Sequence, residues 1–199
     1  MNGSRPQHMR QLIAQQAARM MAEEGVQDYA YAKRKAARQL SVSEVHCLPT
    51  NAEIAQELRL HHEIFRGEEQ PQHLLRLRSE ALTVMRLLER FNPHLTGPVL
   101  DGTAGRYAET DIHLFADSLK DVELFLLNSG IPYEMDEKSY RFGNERRRLP
   151  VFALEGPHGV IRLTVFATDD LRLPLKSPLH DGAQQRATLP AVEAMITEA

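Results

Sequence analysis

Cysteine is almost missing from this chain of 199 residues: Cys47 is the only one. A single thiol excludes an intramolecular disulfide and any cysteine-rich zinc site, and it points to a reducing compartment. No apolar run approaches the roughly 18–20 residues that cross a bilayer. The first residues lack the continuous apolar core of a signal peptide. The expectation is a cytoplasmic protein with no membrane partner. Charge of one sign is not in excess either. Lys and Arg total 24 against 27 Asp and Glu, a formal net charge of -3, so no global field draws the chain toward nucleic acid. There is no Gly-x-Ser-x-Gly elbow, no P-loop and no dinucleotide fingerprint. Serine hydrolase, P-loop NTPase and Rossmann dehydrogenase readings therefore drop out. Internal repeats and low-complexity segments are absent as well.

The first half is patterned for helices. Leu12, Ile13, Ala17, Met20 and Met21 recur at helical spacing between Gln7 and Glu24, and Gly25 reads as the stop. Asp28 is placed to cap a second helix that runs through Leu40, and Asn51 a third carrying Ile54, Leu58 and Phe65. A fourth runs from about Gln70 to Phe91, with Leu74, Leu77, Ala81, Met85 and Leu88 as its stripe; Asn92-Pro93 ends it.

The second half changes period. Val99–Asp101 and Asp111–Ala116 read as strands joined by a turn. A helix from Ser118 to Gly130 follows. Ile131–Met135 with Ser139–Phe142 suggests a hairpin, and Leu149–Leu154 and Val160–Phe166 are strong strands. Helices followed by mostly antiparallel strands indicate an α+β fold. The expected division is a helical region over 1–96, whose last helix packs on the sheet, an α/β core over 97–167, and an arm with a short helix over 168–199.

The stretch "VLDGTAGRYAETDIHLFAD", residues 99–117, concentrates the chemistry. On a strand, Asp111 and His113 share a face about 6.6–7 Å apart. Gly102 and Gly105 allow a tight turn whose N–H groups can hold a phosphate. Thr103 adds a hydroxyl, and Arg106 can clamp phosphate oxygens. A plain Gly-rich turn between two strands accounts for the same residues.

The order of these parts resembles the nucleotidyltransferase superfamily related to DNA polymerase beta. The residues that carry the resemblance are Leu100-Asp101-Gly102-Thr103, then Asp111-Ile112-His113-Leu114, with the Ser118 helix and the Val160–Phe166 strand following. It covers roughly residues 80–167. It implies a mixed or antiparallel sheet with flanking helices and a nucleotide or phosphorylated small molecule as ligand. Asp111 would be the catalytic carboxylate. Gly102, Thr103 and Arg106 would bind the triphosphate, and Asp111 with His113 would hold Mg2+ or Mn2+ if the site is active. The chain departs from the family pattern in four places. Thr103 stands where Ser or Gly is usual. Thr103 to Asp111 is bridged by a short seven-residue linker. His113 stands where a second carboxylate is usual. Arg162 or Thr164 takes the place of the third. The resemblance therefore implies a nucleotidyltransferase-like protein with a degraded catalytic set.

Other clusters compete with this one. "DYAYAKRKAARQLSV", residues 28–42, places Lys33, Arg34, Lys35 and Arg38 opposite an apolar side. That basic face could bind nucleic acid or a protein partner, which makes a non-enzymatic regulatory protein the alternative reading. His61-His62, with Glu57 one turn earlier, reads as a surface pair. "NERRRLP", residues 144–150, reads as a solvated charge run in a hairpin or loop. Glu109, Glu155 and Asp169 are the acids that could replace a missing metal ligand.

Overall fold

The computed structural model describes residues 4–42, 47–67, 69–176 and 183–198. The fold class is α+β, as the order of patterns implied. Helices α1 (Ser4–Glu24), α2 (Tyr29–Gln39), α3 (Asn51–Arg66) and α4 (Glu69–Leu87) come first. Then follow β1 (His94–Thr96), α5 (Gly97–Asp101), β2 (Thr110–Phe115) and α6 (Leu119–Asn128). The chain continues with β3 (Glu134–Phe142), β4 (Glu145–Gly156), β5 (Gly159–Phe166), β6 (Ala187–Thr188) and α7 (Leu189–Thr197). No helix among the described residues is long and apolar enough to cross a membrane.

The chain divides into two compact units, and the division falls between Gln70 and Pro71 rather than at Asn92–Gly97. The reason is that the stripe of α4 (Leu77, Ala81, Met85, Leu88) is buried in the core of the sheet. In the first unit α1, α2 and α3 share their own core of Ile13, Ala17, Met20, Ala36, Ile54 and Leu58. Leu12 and Tyr29 are only half-buried, and Leu40 is exposed at the end of α2. Asp28 caps α2 by accepting from the Tyr31 N–H at 2.8 Å. The cap of α3 is Thr50 instead of Asn51. Its hydroxyl accepts from Glu53 N–H, and Glu53 accepts in return from Thr50 N–H, a reciprocal pair that Asn51 could not form one residue later. Gly105–Tyr107 belongs to this unit, where Gln27 donates to the Tyr107 carbonyl at 3.1 Å.

The second unit is built on a six-stranded sheet in the order β3-β4-β5-β2-β1-β6. All neighbours are antiparallel except β2 and β5, which run parallel. One face presents Leu95, Ile112, Leu114, Phe152, Leu163 and Val165 to α4 and α6, and this is the main core. Alternation puts Asp111, His113 and Phe115 on the other face with Arg162, Thr164 and Phe166.

The segment Val99–Asp101, expected as a strand, is the helix α5, and the strand before it is His94–Thr96. Pro98 explains the change. Its fixed φ suits the first turn of a helix and it has no N–H to give a sheet. Gly97 enters at φ +71 and Gly102 closes α5 at φ +82. Arg78 on α4 donates to the Val99 and Leu100 carbonyls at 3.1 and 3.3 Å, groups that a helix end leaves open. The "NERRRLP" stretch lies mostly inside β4, which the turn at Gly143-Asn144 joins to β3. Leu149–Leu154 and Val160–Phe166 are strands as read.

The sheet is not flat. Lys138 on β3 reaches Asp111 on β2 at 3.0 Å, although β4 and β5 lie between them. Flat strands would hold them about 14 Å apart, three spacings of a sheet. The β3–β4 hairpin therefore curls over the face that carries Asp111. Tyr140, Phe142, Phe115, Phe166 and Leu175 fill the curve as a small second core.

Phe152 is wholly buried and stacks edge-on with Tyr133 at 5.0 Å. Phe152→Ala should lower stability by about 3–5 kcal/mol. Urea unfolding followed on the sheet-bearing unit checks this. A cost under about 1 kcal/mol would mean that the core sits elsewhere.

Candidate functional site

The face under the hairpin gathers Asp111, Lys138, Glu109, Arg162, Asp136 and Arg186. Asp111 is 16% exposed and pairs with Lys138. Burial alone would lower the Lys138 pKa, but the Asp111 carboxylate outweighs it and raises the pKa above the usual value. Lys138 therefore stays an ammonium. Arg162, directly beside Asp111 across the parallel pairing, turns to Glu109. Its Nε and Nη2 donate to the two Glu109 oxygens at 2.5 and 3.0 Å, and Asp136 lies 3.4 Å from Nη1. This two-pronged pair with Glu109 raises the arginine pKa further.

His113 is fully buried one step along β2. It packs at 4.5 Å from the Phe166 ring and edge-on to Tyr140 at 5.5 Å. Burial first, then Arg186, Lys138 and His94, hold its pKa well below the ordinary histidine value. The ring is neutral. Arg186 Nε donates to His113 Nδ1 at 3.2 Å, so the ring proton sits on Nε2. Nε2 and Arg186 Nη2 are both buried and find no acceptor among the described residues. Arg186 also lies over the rings of Phe115 and Phe166 at 5.0 and 5.2 Å. Beside these groups Tyr140 and Thr164 share a hydrogen bond of 2.9 Å.

The site residues singled out in the sequence are only partly brought together. Asp111 and His113 share a face. Thr103 is buried, and its N–H and hydroxyl both donate to the Asp101 carboxylate at 3.0 and 2.5 Å. Gly102 closes α5 with open space around it. The glycine that approaches Asp111 is Gly97, where an added Cβ would stand 3.1 Å from Asp111 Oδ2. Arg106 lies in the Gly105–Tyr107 stretch of the first unit, with its guanidinium 5.9 Å from the Tyr107 ring. Of the displaced acids, Glu109 joins the face by way of Arg162. Glu155 lines a cavity against α4, and Asp169 is exposed in a turn of 3-10 helix.

The basic helix face is partly spent on the fold. Lys33 donates to the Pro49 carbonyl at 2.7 Å, and Lys35 pairs with Glu24 at 2.6 Å. Arg34 and Arg38 remain exposed. The expected surface pair is half right: His61 stacks on Phe65 at 4.6 Å and lies 3.6 Å from Glu23, while His62 is buried. Lys138, Arg186 and Gly97 were missed in the sequence. A signal existed for Gly97, because Thr96 followed by Gly97-Pro98 places a capping residue and a proline where a helix starts. Lys138 and Arg186 are distant in sequence from Asp111, and only the curl and the returning arm bring them in.

Neither metal-ligand candidate is open to a cation. An ammonium sits on Asp111 and a guanidinium donates to His113. No group of three His, Cys, Asp or Glu suited to a metal occurs among the described residues. Mg2+ prefers several oxygen ligands, and Mn2+ needs donors free of competing cations. The set fits both poorly. No family model, no curated protein and no solved structure matches the chain.

Two outcomes test this geometry. Gly97→Ala and Gly102→Ala both meet a left-handed backbone that costs a residue with a Cβ about 1–2 kcal/mol. Gly97→Ala also crowds Asp111, and should cost roughly 1 kcal/mol more in a denaturant titration. The second outcome concerns pH. The unfolded chain takes up the His113 proton near 6.5, the folded chain only well below it. Stability should therefore fall as pH drops below about 6.5, at up to about 1.4 kcal/mol per pH unit. His113→Gln should flatten that slope, read from urea midpoints between pH 5 and 8.

Proposed function

We propose that the sheet-bearing unit is a nucleotidyltransferase-like domain that binds a nucleotide or another phosphorylated small molecule and no longer transfers nucleotidyl groups efficiently. One observation carries the reading: an ammonium, Lys138, stands 3.0 Å from the Asp111 carboxylate where a transferase would hold its metal. The element order supports the kinship. The strand bearing Asp111, the helix after it and the later parallel strand follow one another as the resemblance implies, whereas the segment before Gly102-Thr103 is the short helix α5 and not the implied strand. His113 and Arg162 stand where two further carboxylates would be needed.

The ligand chemistry follows from the donors. Arg186 Nη2 and His113 Nε2 are buried N–H groups without an acceptor among the described residues, and such groups are costly to leave unmade. Phosphate oxygens satisfy them without a metal. In this reading Lys138 neutralises Asp111 and keeps the carboxylate from repelling the anion. Arg162, tied to Glu109, contributes less.

Calorimetric titration with ATP, in EDTA and then in magnesium, tests this. Binding should not weaken in EDTA. Arg186→Gln should lower affinity about tenfold to a hundredfold, the range for a hydrogen bond to a charged group. No label should pass from an α-labelled nucleoside triphosphate to any acceptor. Magnesium-dependent transfer abolished by Asp111→Ala would overturn the inactive reading. Absence of binding by ATP, ADP and inorganic phosphate would overturn the ligand.

A further inference from the structure

The opposite side of the same sheet holds a cavity of about 610 Å3. It lies between α4, the end of α6 and the turn that joins β4 to β5. Leu75, Val84, Leu88, Leu126, Leu154 and Ile161 are among its apolar lining residues. The volume falls in the range of small-molecule sites, about 300–1,000 Å3, and such sites pair apolar walls with a few polar anchors. Two polar neighbours ask nothing of a ligand. The Ser79 and Thr83 hydroxyls donate back to the Leu75 and Ser79 carbonyls of their own helix.

Glu80 differs. Both its carboxylate oxygens are buried, and neither finds a donor among the described residues. Gly156 makes the room for it. A Cβ at that position would stand 2.1 Å from Glu80 Oε1. Charge around the cavity is unbalanced in the same sense, with Glu80 and Glu155 against Arg76. A buried carboxylate is expensive unless a cation or hydrogen bonds compensate it. No described wall residue, Arg76 included, donates a hydrogen bond to Glu80, whereas an ammonium held there would supply both charge and hydrogen bonds.

We propose that this cavity binds a small amphiphilic amine, with the apolar body against the leucine wall and the ammonium on Glu80. The site is independent of the Asp111 face. Calorimetry with n-octylamine, n-octanol and n-octanoate at neutral pH provides the test, because the three share a tail and differ in charge. Octylammonium should bind at least tenfold more tightly than octanol, and octanoate more weakly than either. Glu80→Gln should abolish the preference for the amine while octanol still binds. Gly156→Ala, which pushes the carboxylate aside without changing charge, should reduce that preference. Octanol or octanoate binding as well as the amine would overturn the proposal, as would a preference that survives Glu80→Gln, or no binding by any of the three. A dimer in sedimentation that Leu87→Lys dissociates would place a second copy over the mouth, and would overturn it too.

Discussion

The curl of the β3–β4 hairpin over the parallel β2–β5 pair governs the character of the sheet-bearing unit. Without it, Lys138 and Asp111 would be too far apart to pair. With it, one face of the sheet becomes the inside of a shallow half-barrel. The curve is held by apolar contact among Phe115, Tyr140, Phe142, Phe166 and Leu175. A pair of polar ties reinforces it: the Tyr140–Thr164 hydrogen bond inside, and Arg147 bound to the buried Asp170 at 3.0 Å. The guanidinium of Arg147 also lies 3.6 Å from the Phe142 ring centre, so the same residue serves both kinds of contact.

That enclosure changes what the charged groups can do. An aspartate on an open strand attracts whatever cation is at hand. Under the hairpin, the nearest cation is a side chain of the same protein. A covalently tethered ammonium competes with a dissolved metal at a high effective concentration, and no loss of translational freedom opposes it. Similar logic applies to His113. Its ring is neutral because it is buried among aromatic rings and flanked by Arg186, Lys138 and His94. Its lone pair is already engaged by an arginine. The carboxylates Glu109 and Asp136 are present on this face, but Arg162 draws them to itself.

Helix positions were legible because each has one apolar face, and the face alone decides burial for residues such as Ile13, Ala17 and Met85. The strands around Ile112 and Leu163 were legible for the same reason at period two. The Val99–Asp101 segment was misread because its apolar pair fits either element; Gly97-Pro98 just before it decides for a helix. The capping of α3 slipped by one residue because Thr50 and Asn51 are both competent caps, and the reciprocal contact with Glu53 selects the first. In the candidate site, the shared face of Asp111 and His113 followed from alternation. Their partners did not. Lys138 and Arg186 come from segments 27 and 73 residues later than Asp111 and His113 respectively. Pattern along the chain holds no information about a curl or a returning arm.

β3 is also the outermost strand, and its own pattern carries a consequence for how the protein behaves among its copies. Glu134, Asp136, Glu137 and Lys138 are exposed along its first half. Near its far end the arm closes the ladder, with Phe142 bridging Leu175 and the Lys176 N–H donating to the Arg141 carbonyl at 3.0 Å. A nine-residue edge would otherwise invite a foreign strand to add to it. Here a strand from another molecule would meet a row of mixed charges first and an occupied backbone next. At the opposite edge β6 offers only two residues. Lys138, which holds Asp111 in its ion pair, is thus also one of the charges that guard the sheet against growing from molecule to molecule.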